Sequence, residues 1–590
     1  MSQRNEYVLK KMFGTFFMSS IMVSLMSQMG SITDSIILSH LVSPDALSAF
    51  RVWLPVEAVV LIIIGLMSVG ANFLTTRGIG AQNYDKVNRV FNHHLYYVIF
   101  STIGVIALLL PFVDEVASLV TTDERLLTIL RPYIHAEFFT IFITSISSVP
   151  LAYIIANGSP RSRIQCVIIS QSLNLLFDVL FVSVFNMGVA GAAYASGLAN
   201  LIAISSLAGY LRKNSNIFRL HRPDKVCTVK MYRECFSIGM PALISSLLAP
   251  VLLYVLNTLI IDNLGADGMY MFTVYCQVNA ICMLALSGSN TAISNIGGIL
   301  IGEEDHESLR LLMRRIFRML TVVMLVVSVL IFLFPDVLAR IYGADENLIE
   351  QCRTPFRLMS LTFLPNAISE TLGVLYFVQG HQKLCRWLEI ITNLGAIVVI
   401  AVIALFYSPN IIWYILPFTA WLLLGVVVAM AYVVHRKNRL YDWPTLQSTV
   451  PTNPSFTFSV PYTIEGAKQF LTEVKPFIQA CELNCGITVR VALEELLYEI
   501  VETHTKHSSR ADETFDVHVI DKEDVFMVVL KSKGPLRNPI FKYADSEVMN
   551  LEKNDMRRAV LSRVCNDINY KYMNGINCIY LNYKKNEVKE

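Results

Sequence analysis

"GIGAQNYDK" (Gly78–Lys86) returns in altered form as "GILIGEEDH" (Gly298–His306), with Gly80 falling on Gly302. Two more pairs keep nearly the same spacing. "TDSIILSHL" (Thr33–Leu41) matches "LNTLIIDNL" (Leu256–Leu264), and "IIANGSPRSR" (Ile154–Arg163) matches "YFVQGHQKLCR" (Tyr376–Arg386) with Gly158 on Gly380. The offset stays near 222 residues, about the length of a six-helix unit. Two units with an even number of helices share one topology, so an axis along the membrane normal should relate them, with a site between them.

The material around the repeats is apolar. The 590 residues are 54% hydrophobic and 16% charged, a balance that indicates a multi-span membrane protein. Apolar runs at 12–41, 45–76, 90–112, 129–156, 162–185, 188–211, 233–263, 267–300, 311–334, 354–379, 384–407 and 411–435 predict twelve spans. Lys and Arg crowd alternate loops, among them Arg77, Lys86, Arg161, Arg163, the stretch Arg212–Arg233, Arg310, Arg314 and Arg436. The intervening loops carry acids such as Asp114, Glu115 and Asp123. That bias predicts cytoplasmic termini. The first apolar run continues past the length of a signal-peptide core and has no small-residue cleavage site, so it reads as an uncleaved span. A net charge of +2 without a basic tract gives no sign of nucleic-acid binding, and the eleven scattered cysteines, Cys481 and Cys485 included, read as reduced thiols rather than a metal site. The organisation expected is an N-lobe at 1–211, a basic inter-lobe loop at 212–232, a C-lobe at 233–440, a Pro/Ser/Thr linker at 441–455 and a cytoplasmic domain at 456–590.

Within the spans, "NLLFDVLF" (Asn174–Phe181) places Asp178 in an otherwise apolar helix, with Asn174 one turn earlier on the same face. A carboxylate at such depth must face protein, water or an ion. Asp34 is a second deeply placed acid, and its repeat counterpart is the amide Asn257. Glu57, after Pro55, has the neutral counterpart Asn279. Glu370 is a further candidate, whereas Glu389 is expected near a helix end, paired with Arg386. Pro150, Pro241, Pro250 and Pro365 are expected to kink their helices.

These motifs in this order, with "GLMSVGANFLTTRGIGAQNYDK" and "GVAGAAYASGLAN", resemble the multidrug and toxic compound extrusion (MATE) family over roughly residues 10–440. One departure is the absence of the proline that the family often has early in helix 1. The resemblance implies a twelve-helix, two-lobe exporter of amphipathic or cationic small molecules driven by H⁺ or Na⁺, in a bacterial cytoplasmic membrane. It also implies a cation site at Asp34, Asn174, Asp178 and Ser196, where Ser196 stands for the more usual threonine. Two neighbouring carboxylates in a low dielectric share a proton or a cation, and the neutral oxygens of Asn174 and Ser196 suit a hard ion. Glu57, Asn257, Asn279 and Glu370 are then candidates for the substrate cavity. In other branches an acid near Glu370 pairs with one in helix 7, whose stretch Ile238–Ile261 holds none here.

The tail predicts an α+β domain with strands at 456–462, 514–521, 525–532 and 568–585, and helices at 464–482, 486–507 and 555–568. "VALEELLYEIVETHTKH" (Val491–His507), "VVLKSKGPLRNP" (Val528–Pro539) and the run Met556–Lys585 resemble the GHKL ATPase domain of anti-sigma-factor kinases. Its nucleotide chemistry is poorly kept. Glu495 stands at the base position, Glu499 replaces the Mg²⁺-holding Asn, Ser532 replaces the adenine-binding Asp ahead of Gly534, and the phosphate-loop glycines fall near Arg557–Ala559. A regulatory or protein-binding module, without ATP hydrolysis, is expected, and His504 and His507 read as solvated. Besides the bilayer and a small-molecule substrate, a protein partner of this domain is expected, and no cofactor. The alternatives are a lipid-linked saccharide flippase, against which stands the lack of buried Arg or Lys in the spans, and a sensor signalling through the tail.

Overall fold

The computed structural model describes residues 6–213, 215–221, 225–406, 411–448, 453–481, 486–507, 513–523, 525–534, 567–573 and 576–585. The chain divides into two compact units. One holds Phe16–Gly302 and Met313–Gln447; the other holds Met1–Thr15, Glu303–Leu312 and Ser448–Glu590.

The helices of the first repeat and its trailing connection are α1 (Glu6–Ile37), α2 (Pro44–Gly65), α3 (Ser68–Gly80), α4 (Tyr84–Leu109), α5 (Val113–Val120), α6 (Glu124–Ala156), α7 (Pro160–Asp178), α8 (Gly188–Ser205), α9 (Ala208–Lys213) and α10 (Ser215–Phe218). The second repeat runs through α11 (Lys225–Ala292), α12 (Gly298–Gly302), α13 (His306–Leu333), α14 (Pro335–Ile341), α15 (Glu346–Ser360), α16 (Phe363–Gln379), α17 (Gln382–Phe406) and α18 (Ile412–Lys437). Among the described residues, ten helical segments are long and apolar enough to cross a membrane.

Four expected spans are built differently. The run 45–76 is two helices, α2 and α3, meeting at Leu66–Met67. The run 354–379 is interrupted at Leu361–Thr362, between α15 and α16, because Pro365 has no N–H to offer the carbonyl of residue 361; both residues keep right-handed helical backbone angles, so the proline kinks one continuous span, Glu346–Gln379. The runs 233–263 and 267–300 form one helical segment, Val229–Gly302, interrupted at Gly265, whose φ of +63° only glycine adopts readily. Pro150 lies inside α6, and Pro241 and Pro250 inside α11.

The repeat is conformational as well as textual. Gln82 and Glu304 both have positive φ, 58° and 56°. Asn83 Oδ1 accepts the Lys86 amide at 3.0 Å, and Asp305 Oδ1 accepts the Ser308 amide at 3.0 Å, so equivalent side chains cap equivalent helices. Gly158 and Gly380 turn the chain at φ +80° and +92°. Gly80 and Gly302, aligned in sequence, meet one another. A Cβ on Gly80 would stand 2.1 Å from the Ile299 carbonyl oxygen and 3.0 Å from Gly302 Cα, and one on Gly302 would stand 2.3 Å from the Arg77 carbonyl oxygen. The two lobes thus touch backbone to backbone at this end, which only glycine permits.

The second unit is built on five antiparallel strands in the order β1-β2-β3-β5-β4: β1 (Ser455–Pro461), β2 (Thr514–Asp521), β3 (Val525–Lys533), β4 (Asp567–Met573) and β5 (Ile576–Lys584). Helices α19 (Ile464–Ala480) and α20 (Gly486–His507) supply Phe470, Val474, Leu493 and Leu497 to a core with Phe515, Val517, Phe526 and Leu581. The expected helix at 555–568 falls almost wholly outside the described residues. Strand periodicity sends alternate residues to the opposite face, where Ser459, Asp516, Lys531, Cys578 and Lys571 lie in register across all five strands. All five are buried, and the segment Glu303–Leu312 belongs to this unit. Glu303, wholly buried, receives Lys531 Nζ at 2.6 Å and the Tyr580 hydroxyl at 2.9 Å, while its carbonyl meets His518 Nε2 at 3.1 Å. Asn453 Nδ2 donates to both carboxylate oxygens of Glu304, at 2.9 and 3.0 Å. Burial lowers the Lys571 ammonium to about 8, against the opposing pull of Cys578 and Glu303.

Candidate functional site

Asp34 is carried by α1, Asn174 and Asp178 by α7, and Ser196 by α8. Asn174 links them. Its Nδ2 donates to Asp34 Oδ1 at 3.0 Å and to Asp178 Oδ2 at 2.8 Å, and its Oδ1 accepts the Ser196 hydroxyl at 2.6 Å. Asp178 is wholly buried, its Oδ1 receives no donor, and its carboxyl faces that of Asp34. The network extends through Asn200, whose Nδ2 donates to the Ser196 carbonyl at 2.9 Å and whose Oδ1 accepts Ser170 Oγ at 3.2 Å. Two departures from α-helix flank the cluster. α7 passes into a π-helical run at Val179–Val184 directly after Asp178, and α1 into another at Leu38–Val42. Wide turns of this kind are frequent at functional sites.

Ser196→Ala removes the bond that holds the Asn174 amide in this orientation. One side-chain hydrogen bond of this kind is worth on the order of 1 kcal/mol. If the cluster holds a cation, its affinity, read by titrating H⁺ or Na⁺ against intrinsic fluorescence, is expected to weaken about fivefold to tenfold.

The sequence reading missed Glu137. It lies on α6, is 6% exposed, and hydrogen-bonds the Tyr133 side chain. Glu57 and Asp34 are close enough to interact with it electrostatically. The signal was available, since Glu137 is an acid inside the apolar run 129–156.

The C-lobe candidates are more dispersed. Glu370, which lacks its expected acidic partner, accepts Asn290 Nδ2 at 2.8 Å from α11. Glu389 is held by Ser245 and by Asn393, at 3.3 Å, in place of the expected pairing with Arg386. Asn257 and Asn279 stand on either side of the Gly265 break in α11.

In the second unit, Glu495 and Glu499 are one turn apart on α20, and Ser532 lies buried on β3 opposite Asn577. Gly534 O accepts the Tyr572 hydroxyl at 3.4 Å. Arg557–Ala559 lie outside the described residues. His504, expected to be solvated, is buried: its ring stacks on Tyr462 at 3.6 Å, and Nε2 stands 3.2 Å from Glu513 Oε2. Burial lowers the imidazole below its usual range, against the pull of Glu513. The His507 side chain lies outside the described residues.

The MatE family model matches residues 19–180 and 241–403, two stretches that begin 222 residues apart. The chain is 27% identical over 246 residues to the multidrug export protein MepA of Staphylococcus aureus (strain bovine RF122 / ET3-1). That match covers 41% of this chain and 54%, about half, of the relative. It is 22% identical over 431 residues to MepA of strain MSSA476, covering 72% of this chain and 93% of the relative. Its fold is similar to a structure described as the outward-facing conformation of a multidrug resistance MATE family transporter of the MOP superfamily. There the TM-score is 0.64 at 17% identity, covering 74% of this chain and 98% of the other. With more than half of its length matched in two repeats, the chain belongs to the MatE family.

Proposed function

We propose that this protein is a cation-coupled exporter of amphipathic or cationic small molecules, working by alternating access in a bacterial cytoplasmic membrane with both termini in the cytoplasm. The observation that carries the reading is the buried Asp178 carboxyl, which faces Asp34 and is tied to it through Asn174. Two carboxyl groups that face one another in a buried site hold one proton between them or one cation. The Ser196 hydroxyl can accept as well as donate. The Asn174 amide can therefore exchange its NH₂ for its oxygen and offer a cation a neutral ligand without losing its own support. The repeat supplies a contrast: Asn257, in the position of Asp34, does not titrate. Ion coupling would then belong to the N-lobe, and Glu57, Glu137 and Glu370 would attract a cationic substrate towards the cavity. Reading Val229–Gly302 as two spans and adding Gln382–Phe406 to the apolar segments makes twelve.

The tail is proposed to be a degenerate GHKL-like module with a regulatory role and no hydrolysis, since Glu499 and Ser532 stand where Mg²⁺ and adenine ligands are needed.

Solid-supported-membrane currents under separate pH and Na⁺ jumps test the coupling. The wild type is expected to give a substrate-dependent current with one of the two ions. Substrate efflux that an imposed gradient of neither ion accelerates contradicts coupling.

A further inference from the structure

At the end of the lobes where Gly80 meets Gly302, a cavity of about 750 Å³ is lined by residues of α3, α4, the start of α11 and the turn between α16 and α17. Its charged lining is one-sided: Arg77, Lys86, Lys230 and Arg233 against Glu234. Lys86 Nζ stands 3.8 Å from Glu234 Oε1, so the acid offsets one cation of the four. Arg77 is the innermost. Its Nη2 donates to the Val378 carbonyl at 2.9 Å and its guanidinium lies 4.4 Å from the centre of the Phe73 ring, but its buried Nε has no acceptor. Phe73, Leu74 and Ile238 form an apolar wall beside these cations. Gly380 leaves the room that Arg77 occupies, since a Cβ there would stand 3.2 Å from Nη2.

We infer that this cavity binds a phosphate group, carried either by an anionic lipid headgroup or by a small cytoplasmic phosphate ester. Converging Arg and Lys match phosphate oxygens by charge-assisted hydrogen bonds, and basic pockets between spans on the cytoplasmic side suit lipid headgroups. The apolar wall would take the first carbons of a glycerolipid. Because the lining comes from both repeats, a bound phosphate favours the arrangement in which the lobes touch here and shifts the population towards it. The inference rests on the cytoplasmic placement of the basic loops only for the source of the ligand, so binding is measured on solubilised protein, where sidedness plays no part.

The experiment titrates the full-length protein in neutral detergent with dioctanoyl-phosphatidylglycerol, dioctanoyl-phosphatidylcholine and inorganic phosphate, read by thermophoresis. Phosphatidylglycerol is expected to bind at least about tenfold more tightly than phosphatidylcholine. Lys86→Gln/Lys230→Gln/Arg233→Gln is expected to weaken it on the order of a hundredfold. Glu234→Gln, which removes an acid and leaves the packing intact, is expected to tighten it several-fold; this variant keeps the test open should the triple one fail to fold. Inorganic phosphate that displaces the lipid with equal affinity assigns the site to soluble esters, and failure to displace it assigns the site to the lipid. The inference is overturned if both lipids bind equally and phosphate does not bind. Unchanged affinity in the triple variant and in Glu234→Gln overturns it as well.

Discussion

Lys531→Met is expected to loosen the C-terminal sheet by about 3–5 kcal/mol, the cost of leaving one member of a buried ion pair without its partner. Glu303 has no exposure to water; its carboxylate accepts hydrogen bonds from Lys531 and the Tyr580 hydroxyl, and the buried Lys571 acts on it at longer range. With Lys531 gone, the Tyr580 hydroxyl is the one remaining hydrogen bond to the carboxylate, Lys571 acts only at longer range, and the segment Glu303–Leu312 sits less stably on the sheet. The readout is amide exchange in β2, β3 and β5, whose protection is expected to fall by a factor of about 10² to 10³. Lys531→Met/Glu303→Leu removes both charges and is expected to regain most of that loss. Equal protection in the wild type and the single variant would mean that the pair does not hold the sheet. Removal of the tail after about residue 445 strips Glu303 of Lys531 and Tyr580 and leaves its carboxylate exposed. A truncated protein therefore differs from the native one in that segment as well as in the missing domain.

Gly80→Val is expected to open the contact between the lobes. The added Cβ would overlap the Ile299 carbonyl, a backbone atom that cannot rotate away. Overpacking at a close backbone contact costs at least about 1–3 kcal/mol, a tenfold to hundredfold shift away from the closed arrangement. Thr76→Cys reports on it, because Thr76 Oγ1 lies in the same contact, 2.3 Å from where a Cβ on Gly298 would stand. Maleimide labelling of that cysteine should accelerate about tenfold or more in the Gly80→Val background. Gly302→Val should act alike, since its Cβ meets the Arg77 carbonyl. Unchanged labelling in both would mean that the glycine pair does not hold the lobes together.

The sequence disclosed what periodicity and local spacing encode. The repeat was legible in three paired motifs, two of them centred on glycine, and the i, i+4 pair Asn174 and Asp178 declared its common face. The strands of the tail were legible to within a residue or two, because alternating apolar residues and turn signals bound them. The pairing of Gly80 with Gly302 was not legible: sequence aligned the two, but only tertiary structure could show that equivalent positions meet. Glu303 was hidden for the same reason. It reads as a loop acid, and its partners lie more than two hundred residues away. Glu137 was overlooked inside an apolar run, and His504 was misread because an imidazole on a helix gives no local sign of stacking on Tyr462. The breaks at Leu361 and Gly265 follow from Pro365 and a positive-φ glycine, but apolar composition continues across both and masks them.

The most direct test of the proposed coupling is efflux from proteoliposomes carrying Asp178→Asn, driven by an imposed H⁺ or Na⁺ gradient. The asparagine preserves shape and removes the charge that the cluster shares with Asp34. Ion-driven efflux is expected to fall on the order of a hundredfold, at unchanged protein amount and with substrate binding retained. Ion-driven efflux at the wild-type rate in Asp178→Asn would contradict the account.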